Sequence, residues 1–267
     1  MSTQSADDNL KRVTKELVSS KKGILAADES SGTMNKRLDA IKVEGTLENR
    51  SMWREVVVSS QGIEEAISGV ILFDETLRTP LPNGKMIVDL LKSKNIHPGI
   101  KVDLGLVKIN EQGETFTQGL DKLEERLVDY KKMGATFAKW RAVYKIGENI
   151  PSTVAITSNS IGLAQYAFLC QKVGLVPIVE PEILVLDGSH NINKSKEVTN
   201  KVLKEVFYWL KKFEVKMAGM LLKPNMVLPG KDSEEKSSAE EIARLTVEIL
   251  KANVPADVST STTDPER

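Results

Sequence analysis

The chain of 267 residues has one cysteine, two histidines, no excess of either charge and no apolar run long enough to span a bilayer. Each scarcity excludes something. A lone cysteine, Cys170, cannot close an internal disulfide, and its place on the apolar face of a helical stretch reads as packing. His97 and His190 are too few to ligate zinc by themselves and lie in turn-like surroundings, so no metal is expected. The 37 Lys and Arg balance the 37 Asp and Glu, which leaves no general field for nucleic acid or an anionic membrane. The apolar stretches fall far short of the ~20 residues of a spanning helix. The amino terminus, Met1 to Asp8, lacks the basic and apolar parts of a signal peptide, so a cytoplasmic protein is the expectation. With 40% hydrophobic residues the chain can bury a sizeable core and fits one barrel-sized domain.

What the chain does have is a short apolar stretch that recurs and each time runs into ionisable residues. The segments are Gly23 to Glu29, Gly69 to Glu75, Gly99 to Asp103, Thr136 to Arg141, Val176 to Glu182 and Gly219 to Asn225. Long amphipathic stretches separate them. Val202, Val206 and Leu210, backed by Leu203 and Phe207, mark one helical face. Ile242, Leu245, Ile249 and Leu250 mark a second; Ile161, Leu163, Ala164, Ala167 and Phe168 mark a third, which Gly174 should stop. Strand, helix, strand, helix argues for a parallel sheet covered by helices, an α/β fold of the barrel type.

In such a barrel, catalytic groups collect at the carboxyl ends of the strands. Side chains at i and i+2 share one face of a strand. Lys101 with Asp103, Lys139 with Arg141, and Glu180 with Glu182 could therefore each aim two charges into one interior. Lys223 ends its apolar run in the same way. A desolvated lysine populates the neutral amine, which can attack a ketone or aldehyde to form a Schiff base. On that feature alone, the plainer reading of a strand end with its ammonium in water stands ahead.

The segments Leu25-Ala26-Ala27-Asp28-Glu29-Ser30, Phe137-Ala138-Lys139-Trp140-Arg141, Val176-Pro177-Ile178-Val179-Glu180-Pro181-Glu182 and Leu221-Leu222-Lys223-Pro224-Asn225-Met226 closely resemble the signature strands of class I fructose-bisphosphate aldolase, in order and at family spacing. The resemblance runs from about residue 7 to 256. It implies a TIM (β/α)8-type barrel that cleaves fructose 1,6-bisphosphate reversibly into dihydroxyacetone phosphate and glyceraldehyde 3-phosphate, with a covalent Schiff base and no metal or other cofactor. It also implies a cytoplasmic, glycolytic homotetramer that binds a sugar bisphosphate and, in addition, cytoskeletal protein partners.

The resemblance assigns roles at matching positions. Lys223 matches the Schiff-base lysine, Glu180 the acid that handles protons as the carbinolamine loses water, and Glu182 the neighbour that helps hold the lysine network. Asp28 matches the carboxylate near the hydroxyl that loses its proton in carbon-carbon cleavage. Lys139 and Arg141 match cations that orient substrate. Lys101, Lys36 and Arg37 resemble residues on the phosphate side, with Ser30 and Thr33 offering hydroxyls or backbone donors; Lys36 and Arg37 read equally as a solvated helix face. Each assigned acid or base has the alternative of an ordinary structural ion pair.

The resemblance lapses in places. Leu104 follows Asp103 where the family commonly has lysine, and Asp74 stands where it has histidine. After Ala256 the family continues into a seventh strand, a Ser-Gly-Gly-Gln phosphate loop and an eighth strand, whereas this chain reads Asp257 to Arg267, polar throughout. The expectation is an incomplete barrel over residues 1–256 with about six of the eight β/α units, followed by a disordered tail over 257–267. The Asp28 and Lys223 strands would then both be open edges, one phosphate clamp would be missing and activity would be impaired. The competing expectation is a catalytically silent fragment that acts only through protein partners.

Overall fold

The computed structural model describes residues 3–19 and 21–260. The elements, in chain order, are α1 (Thr3–Leu17), β1 (Gly23–Ala27), α2 (Ser31–Ala40), α3 (Leu47–Ser59), α4 (Ile63–Ala66), β2 (Ile67–Leu72), α5 (Asp74–Arg78), α6 (Ile87–Ser93), β3 (His97–Lys101), β4 (Leu106–Lys108) and β5 (Thr115–Thr117). Then come α7 (Leu123–Lys132), β6 (Phe137–Tyr144), α8 (Thr153–Val173), β7 (Val176–Ile183), α9 (Ile192–Lys212), β8 (Leu221–Leu222), α10 (Ala239–Asn253) and β9 (Ser259–Thr260). The main sheet runs β1-β2-β3-β6-β7-β8-β9, every pair parallel, while β4 and β5 form a separate antiparallel hairpin.

The local chemistry accounts for these elements. Among the described residues, five helices begin at a residue whose side chain accepts a hydrogen bond from a main-chain N–H of the first turn: Ser30, Thr46, Ser152, Asn191 and Ser238. α8 ends at Gly174, which adopts φ 78°, a conformation glycine takes without strain. Val202, Leu203, Val206, Phe207 and Leu210 of α9 are buried, as their spacing requires, but Phe168 of α8 is 43% exposed and faces away from the core.

The six expected strands form, and a seventh joins them. Ser259 and Thr260 pair in parallel with Leu221 and Leu222, anchored by Val258, which is 1% exposed. A single buried valine and two backbone pairs suffice where the side-chain pattern offers no apolar run. The edges of the described sheet are therefore β1 and β9, and the Lys223 strand has neighbours on both sides. Residues 261–267 of the expected tail lie outside the described residues. Asp74 and Glu75 open α5 instead of prolonging β2, and His97 opens β3, where its ring meets Glu16 at 3.0 Å and Thr136 at 3.2 Å.

Two layers of apolar packing hold the sheet. The larger lies between the strands and the outer helices. The smaller sits at the amino end of the strands, where Leu10, Val13 and Leu17 of α1 pack on Ile71, Phe137, Val176, Ile178 and Leu221. Phe137 fits there because its neighbours on β2 and β3 are Gly69 and Gly99; a Cβ on Gly99 would stand 2.2 Å from the Phe137 ring. Gly99→Ala is therefore expected to cost about 1–3 kcal/mol through overpacking. Gly32→Ala, on a helix with nothing within 4 Å, should be neutral or stabilising. Thermal melting of the two variants tests this, and equal midpoints would count against the packing argument.

Candidate active site

All strands of the main sheet run parallel, so their carboxyl ends share one edge, and register decides which residues meet there. Lys101 pairs with Lys139, and Arg141 pairs with Glu180. Leu221 and Leu222 pair with Ile178 and Val179, and the Lys223 N–H donates to Val179 O at 2.9 Å. That register sets Lys223 beside Glu180 without any help from a loop.

Four side chains form a continuous chain of contacts. Glu180, 3% exposed, contacts the Lys223 ammonium with Oε1 and lies 3.1 Å from Lys139 Nζ with Oε2. Lys139, 6% exposed, donates to Asp28 Oδ2 at 2.8 Å. Burial acts to lower the Lys139 pKa, but the charges of Glu180 and Asp28 outweigh it and hold the ammonium above its ordinary range. Lys139 is thus a fixed cation between two carboxylates. The Lys223 side chain is 41% exposed, so its amine stands at the open mouth of the strand end and not in a sealed apolar pocket. An amine in contact with a carboxylate, open to an incoming molecule and backed by a second cation, can lose a proton to that carboxylate and attack a carbonyl.

The comparisons with known proteins decide the family. A family model for fructose-bisphosphate aldolase class I matches residues 9–262. The chain belongs to the class I fructose-bisphosphate aldolases. It is 52% identical to the cytosolic fructose-bisphosphate aldolase 4 of Arabidopsis thaliana, over 89% of this chain and 60% of that protein. It is 47% identical to fructose-bisphosphate aldolase 2 of Caenorhabditis elegans, over 96% of this chain and 70% of the other. A crystal structure of the Plasmodium falciparum aldolase, solved with TRAP and a small-molecule inhibitor, superposes with a TM-score of 0.93 at 46% identity, covering 95% of this chain and 74% of that one. The chain thus spans about three fifths of the length of the first of these relatives.

The residues expected at the phosphate side form no hydrogen bond or ion pair with the four clustered residues, although Lys101 stands level with Lys139 in the ladder. Ser30 and Thr33 are occupied with each other: the Ser30 hydroxyl accepts from the Thr33 N–H at 3.3 Å and lies 3.1 Å from its hydroxyl, capping α2. Arg37 turns back to Glu29, and Lys36 is exposed on the same helix. Lys101 is held by Asp103, at 2.7 Å from its carboxylate and 3.0 Å from its carbonyl. Glu182, expected to brace the lysines, instead faces Arg141 at 3.3 Å. The neighbours of the Glu180 carboxylate are therefore two ammoniums and not a second acid.

Sequence reasoning passed over three contributors. Asn225 accepts from the Ile183 N–H at 3.1 Å and ties the segment after Lys223 to β7. Arg50 and Arg54 of α3 are buried; Arg54 donates to the carbonyls on either side of Asp28, and Arg50 pairs with Glu75. Nothing in a helical Arg-x-x-x-Arg distinguishes such a pair from a solvated face. A cavity of about 560 Å³ lies at the opposite end of the sheet, lined by Arg12, Glu16, His97 and the amino ends of β2, β3 and β6; none of the four cluster residues lines it.

Proposed function

We propose that the chain cleaves fructose 1,6-bisphosphate by class I aldolase chemistry, with Lys223 as the imine-forming residue. The observation that carries this reading is the Glu180 carboxylate shared between Lys223 and Lys139, with Asp28 on the far side of Lys139. Glu180 takes the proton that the Lys223 ammonium must lose, and returns it to the carbinolamine hydroxyl that leaves as water. The protonated imine then accepts the electron pair of the carbon-carbon bond, while Asp28 takes the proton of the neighbouring hydroxyl. Glyceraldehyde 3-phosphate departs. The enamine left on Lys223 gains a proton at carbon, and hydrolysis frees dihydroxyacetone phosphate. No step calls on a metal. The fixed charge of Lys139 stands between the Asp28 and Glu180 carboxylates, and Lys101 and Arg141 supply cations for the substrate's phosphates and hydroxyls.

Cytosolic residence is supported by Arabidopsis relatives named as cytosolic, which are 50–53% identical, against 46–48% for the chloroplastic ones compared. Among the described residues no helix is long and apolar enough to cross a membrane. A homotetramer and protein partners of the cytoskeletal kind belong to the same reading, and the complex of the Plasmodium relative with TRAP supports a protein-binding surface in the family.

Borohydride reduction in the presence of dihydroxyacetone phosphate tests the reading. Intact mass and peptide mapping should find one adduct, on the peptide containing Lys223. A folded protein that gives no adduct would sink the enzymatic reading and leave a chain that works through its partners.

A further inference from the structure

Arg54 lies on α3 with 2% of its surface exposed. Its guanidinium reaches into the loop between β1 and α2, where Nε donates to Ala27 O at 3.2 Å and Nη2 to Glu29 O at 2.7 Å. Those two carbonyls flank Asp28, whose carboxylate accepts from Lys139. Glu29 is the one acid in ion-pair range of Arg54 among the described residues, and at 4.0 Å it is beyond hydrogen-bond reach. Burying a guanidinium is costly unless its donors are satisfied. This one commits them to main-chain carbonyls on either side of a single residue.

Arg50, one turn earlier, works on the same region. It donates to Glu75 through Nε at 2.8 Å and Nη2 at 2.7 Å, and to Asn35 of α2 at 2.9 Å. Ser31, the first residue of α2, also donates to Glu75, at 3.2 Å. Arg50 thereby fixes the start of α2, and Arg54 fixes the two peptide groups around Asp28. Burial lowers the Arg54 pKa, with Glu29 and Glu75 opposing it.

We infer that Arg54 is a positioning residue: through the carbonyls of Ala27 and Glu29 it aims the Asp28 carboxylate at the hydroxyl proton released in carbon-carbon cleavage. The inference rests on the role proposed above for Asp28. Imine formation uses Lys223 and Glu180 and does not need the loop held. Cleavage does, because a proton acceptor displaced by about 1 Å loses roughly a hundredfold in rate.

The test compares Arg54→Lys and Arg54→Met with the unaltered chain in three measurements: borohydride trapping with dihydroxyacetone phosphate, cleavage of fructose 1,6-bisphosphate, and amide exchange over residues 26–31. Both variants should trap within about twofold of the unaltered chain, lose roughly a hundredfold in kcat with KM little changed, and exchange faster over this loop alone. Arg54→Lys keeps the buried charge while losing the two-pronged grip, so it reports on positioning even where Arg54→Met fails to fold. Trapping and cleavage that fall by one common factor would assign Arg54 a purely structural role and overturn the inference. If the unaltered chain does not trap, the reading of the site fails separately. Exchange still decides the grip: unchanged protection over 26–31 overturns the inference, and loss confined to that loop supports it.

Discussion

Lys223→Met should abolish the borohydride-trapped adduct and lower fructose 1,6-bisphosphate cleavage by roughly 10⁶-fold, the scale of loss when a covalent nucleophile is deleted. The fold should survive. The Lys223 side chain is 41% exposed and β8 is held by its backbone pairs to β7 and β9, while Glu180 keeps Lys139 as its counter-charge. The melting temperature is therefore expected to stay within a few degrees of the unaltered chain. Lys223→Arg separates charge from chemistry, because it keeps a cation against Glu180 but offers no primary amine to form an imine. Residual trapping at another lysine in either variant would move the nucleophile elsewhere and break the reading of the site.

Lys139→Met should damage both stability and rate. It strips the shared cation from Asp28 and Glu180, and removing one partner of a buried ion pair costs about 3–5 kcal/mol. Cleavage should fall on the order of 10²–10³-fold, the usual loss when a preorganised charge is deleted from a site. The pH dependence has a definite sign. Folding raises the Lys139 pKa above the ordinary 10.5, because the two carboxylates outweigh burial. The folded chain therefore holds that proton more tightly than the unfolded chain, and the stabilisation is fully present below the unfolded pKa. The stability gap between unaltered chain and variant should be flat between about pH 7 and 9, and close as the pH climbs past roughly 10.5 through the folded value. Chemical denaturation across that range checks it; a gap that instead widens at high pH would mean Lys139 is neutral in the folded chain.

Much of this site was legible as a pattern of apolar runs that end in charge. Asp28 and Lys223 follow directly on the last residues of β1 and β8, and Lys139 and Glu180 lie within β6 and β7, an arrangement that period two and strand direction write directly in the residues. Partner choice was not. Glu180 and Glu182 are equivalent by alternation, yet Arg141, level with Glu180 in the ladder, reaches forward to Glu182 and leaves Glu180 to the lysines. Ser30 and Thr33 looked like free hydroxyls because a cap and a ligand-binding hydroxyl use the same residue types; only the α2 geometry assigns them to each other. Arg54 looked like one charge among many on a helix, since its meaning depends on where α3 docks. β9 escaped notice because two residues carry no period at all.

The placement of Lys223 by a strand of two residues, Leu221 and Leu222, makes the chain unevenly tolerant of changes in length. A single residue inserted or deleted in the turn over Met217–Gly219 that leads into β8 would slip those two pairs by one, and a slip of one carries a side chain to the other face of a sheet. The lysine would then face the outer helices, with Glu180 left behind. Beyond Asn225 the same change falls in a connection of about a dozen residues before α10 and shifts nothing that touches the amine. Natural variants and engineered insertions should thus accumulate after Asn225 and be purged before Leu221, a boundary drawn by register rather than by distance from the chemistry.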